Sequence, residues 1–441
     1  MTVALDSLLP ILAKRLGDAQ PRPMRGRIRS IRGTLVHASV AGVGIGELCH
    51  LSDPLSQRAL QAEVVGFDGD EAILAPIGSL EGLSTRTEIV ATGERSGVVV
   101  GDALLGRVIS PLGSWLDGAA PATAGLLRYP LQAEPPAPFA RQLISEPMPL
   151  GVRAIDALLT VARGQRVGIF GEPGVGKSSL LSAIVTHCKA DVIVIGLIGE
   201  RGREVRELLD VHLGKAARAR TVAVVSTSDR PATERVKAAY VATAQAEYHR
   251  DQGRNVVLLL DSLTRFARAQ REIGLAVGEP PTRRGYPPSF FSALPRLLER
   301  SGPGERGSIT ALYTVLTEGD ADLDPVAEEA RSILDGHIVL SAELAQRNHF
   351  PAIDVLHSRS RLMDKVVSAE QRQMAAHVRG LMARHADIEL LMRTGDYVAG
   401  SDALADEAIA RHDAIEAFLR QDGDDHSSFE DSLQRLRTVL T

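Results

Sequence analysis

Gly171-Glu-Pro-Gly174-Val-Gly176-Lys177-Ser178 is the stretch on which the fold of this chain turns. It fits G-x-x-x-x-G-K-[ST], and its flanks are what that pattern needs: the apolar strand Arg166–Phe170 before it and the apolar helix Ser179-Leu-Leu-Ser-Ala-Ile-Val185 after it. The glycines let the backbone wrap around phosphates and aim N–H groups at them, while the helix presents its positive N-terminal end. Lys177 is placed to reach the β- and γ-phosphates, and the Ser178 hydroxyl to ligate Mg2+. With strand and helix both in place, a chance glycine turn is a poor account.

Outward from this loop the pattern is apolar strand, loop, helix, repeated from Gly164 to about Ser341. The expected strands are Arg166–Phe170, Val192–Ile198, Val222–Val225, Val256–Leu260, Ile309–Leu316 and His337–Leu340. Short apolar strands alternating with helices argue for an α/β core, a parallel sheet covered on both faces. Residues 25–95 differ: short β-rich runs broken by glycine predict a small barrel or sandwich. A proline-rich crossing, Ala133-Glu-Pro-Pro-Ala-Pro-Phe139, precedes the core, and from about residue 365 the pattern is helical to the end. Leu5, Leu8, Leu9 and Leu12 predict a short amphipathic helix within residues 1–20.

Composition narrows the function. The chain has 441 residues, 44% apolar and 24% charged, which suits a globular protein of two or three domains. A net charge of −5 and only 4% aromatic residues argue against a polyanion-binding, base-stacking protein, so no nucleic-acid partner is expected. Cys49 and Cys188 lie far apart and match no metal-ligand spacing, which suits reduced thiols in a cytoplasmic protein. The run Leu8–Leu12 lacks a basic leader, and no window approaches the roughly 20 apolar residues that cross a bilayer.

Two carboxylates stand at expected strand ends. Asp261 closes Val256–Leu260, at the carboxyl edge where ligands gather in such sheets, and suits a second magnesium ligand; a helix N-cap is the alternative. Glu200 follows Val192–Ile198 in Gly199-Glu200-Arg201-Gly202-Arg203-Glu204. A carboxylate there can polarise an attacking water, and Arg201 can neutralise γ-phosphate charge, although spacing alone fits a solvated charge cluster equally well.

Gly171–Ser178, Gly-Glu-Arg at 199–201 and Leu-Leu-Leu-Asp-Ser-Leu-Thr-Arg-Phe-Ala at 258–267 together resemble the hexameric ATPases related to ATP synthase catalytic subunits. Further runs are similar to the type III secretion branch, which includes the injectisome and flagellar export ATPases. They are Gly106–Gly113, Gly151-Val-Arg-Ala-Ile-Asp156, Pro280-Pro-Thr-Arg-Arg-Gly-Tyr-Pro-Pro-Ser-Phe-Phe291, Leu312–Asp320 and Ile333–Ser341. The similarity runs from about residue 25 to about 415. Glu172-Pro173 departs from the small residues of many relatives, at positions the loop pattern leaves free.

The resemblance implies a RecA-like ATPase domain at 96–345 and an oligomerising β-barrel at 25–95. It also implies a docking segment at 1–24 and a C-terminal helical domain for substrates and chaperones at 346–441. It implies that Glu200 is the catalytic glutamate; the reading of the loop and strand ends adds Lys177 and Arg201 as catalytic, ATP bound by Gly171, Gly174, Val175, Gly176, Lys177, Ser178 and Ser179, and Mg2+ held by Ser178 and, through water, Asp261. Phe350 matches the aromatic that stacks on adenine, and Arg361 the arginine finger that enters the neighbouring subunit's site, with Arg359 a nearby alternative. Gly278–Tyr286 resembles the loop lining the central channel, and Leu390–Gly400 the region that meets chaperone–substrate complexes. The implied partners are five copies of itself in a homohexamer, a peripheral stator, a central stalk, chaperone-bound cargo and a membrane export gate, with the protein peripheral at the inner membrane face. Rival readings are a flagellar export ATPase, a catalytic subunit of a rotary ATP synthase, a hexameric RNA translocase and a non-catalytic ring partner. Asp422-Gly-Asp-Asp425 lies too near the end for the acidic lever of the rotary subunit, and an intact Lys177, Glu200 and Asp261 set speaks against a non-catalytic partner.

Overall fold

The computed structural model describes residues 24–53, 59–118, 125–317, 324–423 and 425–441. The helix expected within residues 1–20 lies outside them. The chain divides into two compact units, each built on its own strands.

The first unit is a closed barrel of β1 (Arg25–Arg32), β2 (Leu35–Ser39), β3 (Glu47–Ser52), β4 (Ala59–Asp68), β5 (Glu71–Ile77) and β6 (Glu88–Arg95), in the order β1-β2-β5-β4-β3-β6. The two-residue alternation is plain in β1, where Ile28 is buried and Arg25, Arg27 and Arg29 are exposed. Val36, Leu51, Val64, Leu74 and Ile89 fill the interior. At Gly26 a Cβ would lie 2.3 Å from the Ser39 carbonyl oxygen, so glycine is what lets β1 and β2 approach. Because β6 pairs back onto β1, closure leaves no free edge for pairing with other chains.

The second unit starts with a small ribbon of β7 (Gly97–Val100) and β9 (Leu127–Pro130). Its main sheet contains β8 (Val108–Ile109), β10 (Arg166–Gly171), β11 (Val192–Glu200), β12 (Thr221–Thr227), β13 (Asn255–Asp261), β15 (Ser308–Leu316), β16 (Gly336–Leu340) and β17 (Ile353–Ser360). The order is β17-β16-β10-β15-β13-β11-β12-β8, with β14 (Gly302–Pro303) an antiparallel partner at the start of β15. All six expected strands are present and parallel. The sequence reading missed β8, too short at two residues to show a pattern, and β17, an antiparallel edge strand whose exposed His357 and Arg359 mask its alternation.

Helices used below are α1 (Arg153–Leu158), α2 (Lys177–His187), α3 (Ala232–Asp251), α4 (Leu263–Val277), α5 (Pro288–Glu299), α6 (Ala369–Thr394), α7 (Ala403–Leu419) and α8 (Phe429–Leu440). Along β13, Val257 and Leu259 share one core with Leu181 and Ile184 of α2 and with Val378, Leu381, Ile415 and Leu436 of α6, α7 and α8. Val256, Leu258 and Leu260 share the other with Ala242 of α3, Phe266 of α4 and Leu294 of α5. Each such strand is therefore covered on both faces, which is why it reads as an unbroken apolar run, and each fully buried leucine stabilises the fold by about 1.5–3 kcal/mol. The expected fold class, a RecA-like core with a small N-terminal barrel and C-terminal helices, is what the chain adopts. Among the described residues no helix is long and apolar enough to cross a membrane.

Candidate active site

β10 ends at Gly171, the chain turns through Glu172–Gly176, and α2 starts at Lys177. Gly174 and Gly176 have φ of 88° and 86°, the left-handed region that glycine enters without the steric cost other residues bear. The loop therefore wraps over the start of α2, whose unpaired first N–H groups and dipole favour an anion there.

A cavity of about 690 Å3 opens over this turn, at the carboxyl ends of β10, β11 and β13. Gly174, Gly176, Lys177, Ser178, Ser179, Glu200, Arg201 and Asp261 all line it. Sequence reasoning named these residues from three separate stretches, and the sheet brings them to one place because β11 lies next to β13. Gly171 and Val175 do not reach the cavity with side chains. Gly171 is buried between Leu340 and Val175, and Val175 turns into the core at 3% exposure, a supporting position under the loop.

The Lys177 ammonium is ion-paired with Asp261 Oδ1, which also accepts a 2.7 Å hydrogen bond from Thr314 Oγ1. Thr314 on β15 thus fixes the carboxylate from beneath. Glu200 ends β11 almost buried, and its Oε1 accepts no hydrogen bond. Burial, and next the nearby Asp261 carboxylate, push its pKa up to about 7, against the opposing charges of Lys177 and Arg265. A carboxylate poised near neutrality with an unfilled acceptor oxygen suits a general base.

Arg265 was not singled out from the sequence. It projects from α4 with Nε 3.3 Å from Glu200 Oε1, and Gly199, at φ 71°, makes room for it: a Cβ there would come within 2.8 Å of Arg265 Cδ. The signal was the glycine immediately before the candidate base. Arg201 is largely exposed and paired at 3.4 Å with Glu204, on the rim of the cavity.

Phe350 stands beside Gly176, in a second, smaller cavity lined also by Ser179, Leu180 and Gln421. A Cβ at Gly176 would lie 3.1 Å from its ring. Arg361 does not line either cavity; it is exposed just beyond β17, with Nη2 donating to the Arg331 carbonyl at 3.1 Å, and Arg359 is exposed nearby. In the stretch expected to face a channel, Arg283 pairs with Glu328 at 2.8 Å and Arg284 is exposed at φ 47°. Leu390, Leu391 and Val398 are exposed at the far end of α6 and just beyond it.

A phosphate-gripping loop, a strand-end aspartate and a buried strand-end glutamate on a parallel sheet define a P-loop ATPase of the ATP synthase type. Family models agree along the chain. The nucleotide-binding domain of the ATP synthase alpha/beta family matches residues 151–360, and the beta-barrel domain of that family matches 28–93. The T3SS EscN ATPase C-terminal domain matches 367–438. A type 3 secretion system ATPase of Sinorhizobium fredii is 55% identical over 96% of this chain and 92% of its own length. The SPI-2 type 3 secretion system ATPase of Salmonella typhimurium is 51% identical over 94% and 95%. The solved structure of the assembled ATPase EscN from the enteropathogenic E. coli type III secretion system superposes with a TM-score of 0.90 at 48% identity, covering 94% of this chain and all of that one. The chain belongs to the type 3 secretion system ATPases, enzymes that hydrolyse ATP.

Proposed function

We propose that this chain hydrolyses ATP in a homohexameric ring, at seams between protomers, to energise type III protein secretion. One observation carries the reading. Lys177, Ser178, Glu200 and Asp261 surround a single cavity, while Arg361, the expected finger, lies outside it with an exposed guanidinium. A base and phosphate grip in one protomer, with the expected finger exposed at the surface away from them, fits an interface site.

The roles follow from charge. The triphosphate draws Lys177 away from Asp261, so the ammonium meets the β- and γ-phosphates and the carboxylate is released toward a cation. Ser178 at the start of α2 and Asp261, hard oxygen donors on the phosphate side of the cavity, fit Mg2+. When bound, Mg2+ neutralises charge on the β- and γ-phosphate oxygens. Glu200 takes a hydrogen bond from the attacking water and orients it in line, and Arg265 holds the Glu200 carboxylate toward the cavity. The Arg361 guanidinium of the neighbouring protomer stabilises charge on the equatorial oxygens. Arg201, on the rim, assists from the same side, and Phe350 stacks on adenine.

The ring is favoured by the likeness to EscN, solved as an assembled ATPase, and a central stalk by the EscN structure in complex with its central stalk EscO. A stator at residues 1–24, chaperone-bound cargo at the exposed apolar end of α6, and an export gate at the inner membrane face complete the machine by family resemblance. The flagellar reading is second. Flagellum-specific ATP synthases share 44–47% identity, against 51–55% for three secretion ATPases, although a fourth, from Pseudomonas syringae, shares 44%.

Glu200→Gln tests the mechanism. The purified variant is expected to lose turnover and retain ATP binding, whereas Lys177→Ala loses turnover through the phosphate grip. Near-normal hydrolysis by Glu200→Gln would remove that residue from the reaction.

A further inference from the structure

The turn between α7 and α8 is fastened more firmly than a surface connection requires, and its anchor points converge on the slot beside Phe350. Gln421 is the centre of this fastening. Its backbone N–H donates to the Phe350 carbonyl at 2.9 Å, and its side-chain oxygen accepts from the Arg153 N–H at 2.8 Å. Its side-chain nitrogen donates to the carbonyls of Gly151 at 3.0 Å and Asp425 at 2.7 Å. Both polar atoms of the amide are thus used, and the side chain joins the start of α1 to both sides of the turn.

Arg153 reinforces the same turn from α1. It is 3% exposed, and its guanidinium donates to the Phe418 carbonyl at 3.1 Å, to the Arg420 carbonyl and to Ser427 Oγ at 3.3 Å, and forms an ion pair with Asp425. A buried arginine with its fork shared among carbonyls and a carboxylate is a rigid fixture, since Lys cannot reproduce that geometry. Held this way, Gln421, Asp422 and Gly423 form one wall of the cavity whose other walls are Phe350 and the start of α2.

We infer that Gln421 is a positioning residue for the base of the nucleotide. It locks Phe350 and the α7–α8 turn at a fixed separation from the phosphate loop, so that the slot accepts a flat ring. The inference rests on the reading of Phe350 as the residue that stacks on the base. Its consequence is a division of labour. The phosphate grip is set by Gly174–Ser178 and the sheet, while the base grip depends on where α7 and α8 hold their connecting turn. Displacement of these helices loosens the base and leaves the phosphates held, and by reciprocity nucleotide binding steadies the helices.

The experiment compares a substrate that has a base with an anion that has none, in the purified full-length protein. ATP hydrolysis gives KM and kcat, and inhibition by inorganic tripolyphosphate reports the phosphate grip alone. Gln421→Met, close in volume but unable to make the side-chain bonds, is expected to raise KM for ATP about tenfold. Its kcat should stay within about twofold and its tripolyphosphate Ki should not move. Phe350→Ala run in parallel should also raise KM, and the double variant should add little to either single change, because Gln421 acts through the same slot. An unchanged KM in Gln421→Met, or a tripolyphosphate Ki that rises with KM, overturns the inference. If Phe350→Ala leaves KM untouched, the stacking reading falls. If it raises KM and Gln421→Met does not, only the role of Gln421 falls. Should thermal melting show that Gln421→Met does not fold, Arg153→Lys is read by the same criteria.

Discussion

The role proposed for Glu200 rests on its surroundings rather than on its chemistry. Burial raises its pKa to about 7, and Asp261 adds to the rise while Lys177 and Arg265 oppose it. A base works deprotonated, so kcat/KM for ATP should climb as pH rises through about 7 and fall roughly tenfold per unit well below it. A flat profile between pH 5.5 and 8 would separate the acidic limb from Glu200. Removing the cation 3.3 Å away has a definite sign. Arg265→Ala loses a charge that lowers the Glu200 pKa, so the limb should move to higher pH, besides a drop in kcat from a less constrained carboxylate. A shift to lower pH would show that Arg265 acts elsewhere. Glu200, Lys177 and Asp261 were legible in the sequence because each sits at a strand end or in a loop whose chemistry is local. Arg265 was not, because its meeting with Glu200 depends on β11 lying beside β13, after which α4 begins, and the only local trace of that is the glycine before Glu200.

At the scale of elements, what the sequence displayed was periodicity, and what it concealed was how the elements tie together. The six parallel strands were visible as apolar runs because they are buried on both faces; edge strand β17 was hidden by its polar exposed side. The helical end was visible as composition, but the joints that order it are polar and distant in sequence. Asp402 is such a joint. Its carboxylate caps α7 by accepting from Leu404 N at 2.9 Å and Ala405 N at 3.2 Å, and it is also ion-paired with Arg384 on α6. Asp402→Ala removes both functions and should cost about 1–2 kcal/mol, chiefly through the cap. Asp402→Asn keeps a capping oxygen and loses the charge, so it should recover most of that loss, because a partly exposed ion pair contributes only about 0–1 kcal/mol. Denaturant unfolding of both variants separates the contributions. Equal destabilisation by Asn and Ala would assign the stability to the ion pair.

At the scale of the assembled molecule, the finger role proposed for Arg361 makes a demand that no single protomer can meet. Its side chain is exposed beyond the edge strand and lines neither the phosphate-loop cavity nor the slot beside Phe350, so its proposed chemistry needs a second copy. Two inactive variants should therefore complement each other. Lys177→Ala protomers cannot grip phosphate but still offer a finger, while Arg361→Ala protomers grip phosphate but offer none. In rings assembled from an equal random mixture, roughly a quarter of the seams join an intact grip to an intact finger. Mixing should thus restore roughly a quarter of wild-type hydrolysis, in proportion to ring assembly, whereas either variant alone stays inactive. The same mixture held below the concentration at which rings form should remain silent. If Arg361→Ala hydrolyses ATP normally, or if mixed rings recover nothing while wild-type rings prepared identically are active, the finger is not Arg361. Repeating the mixture with Arg359→Ala in its place then asks whether the neighbouring arginine on β17 supplies it instead.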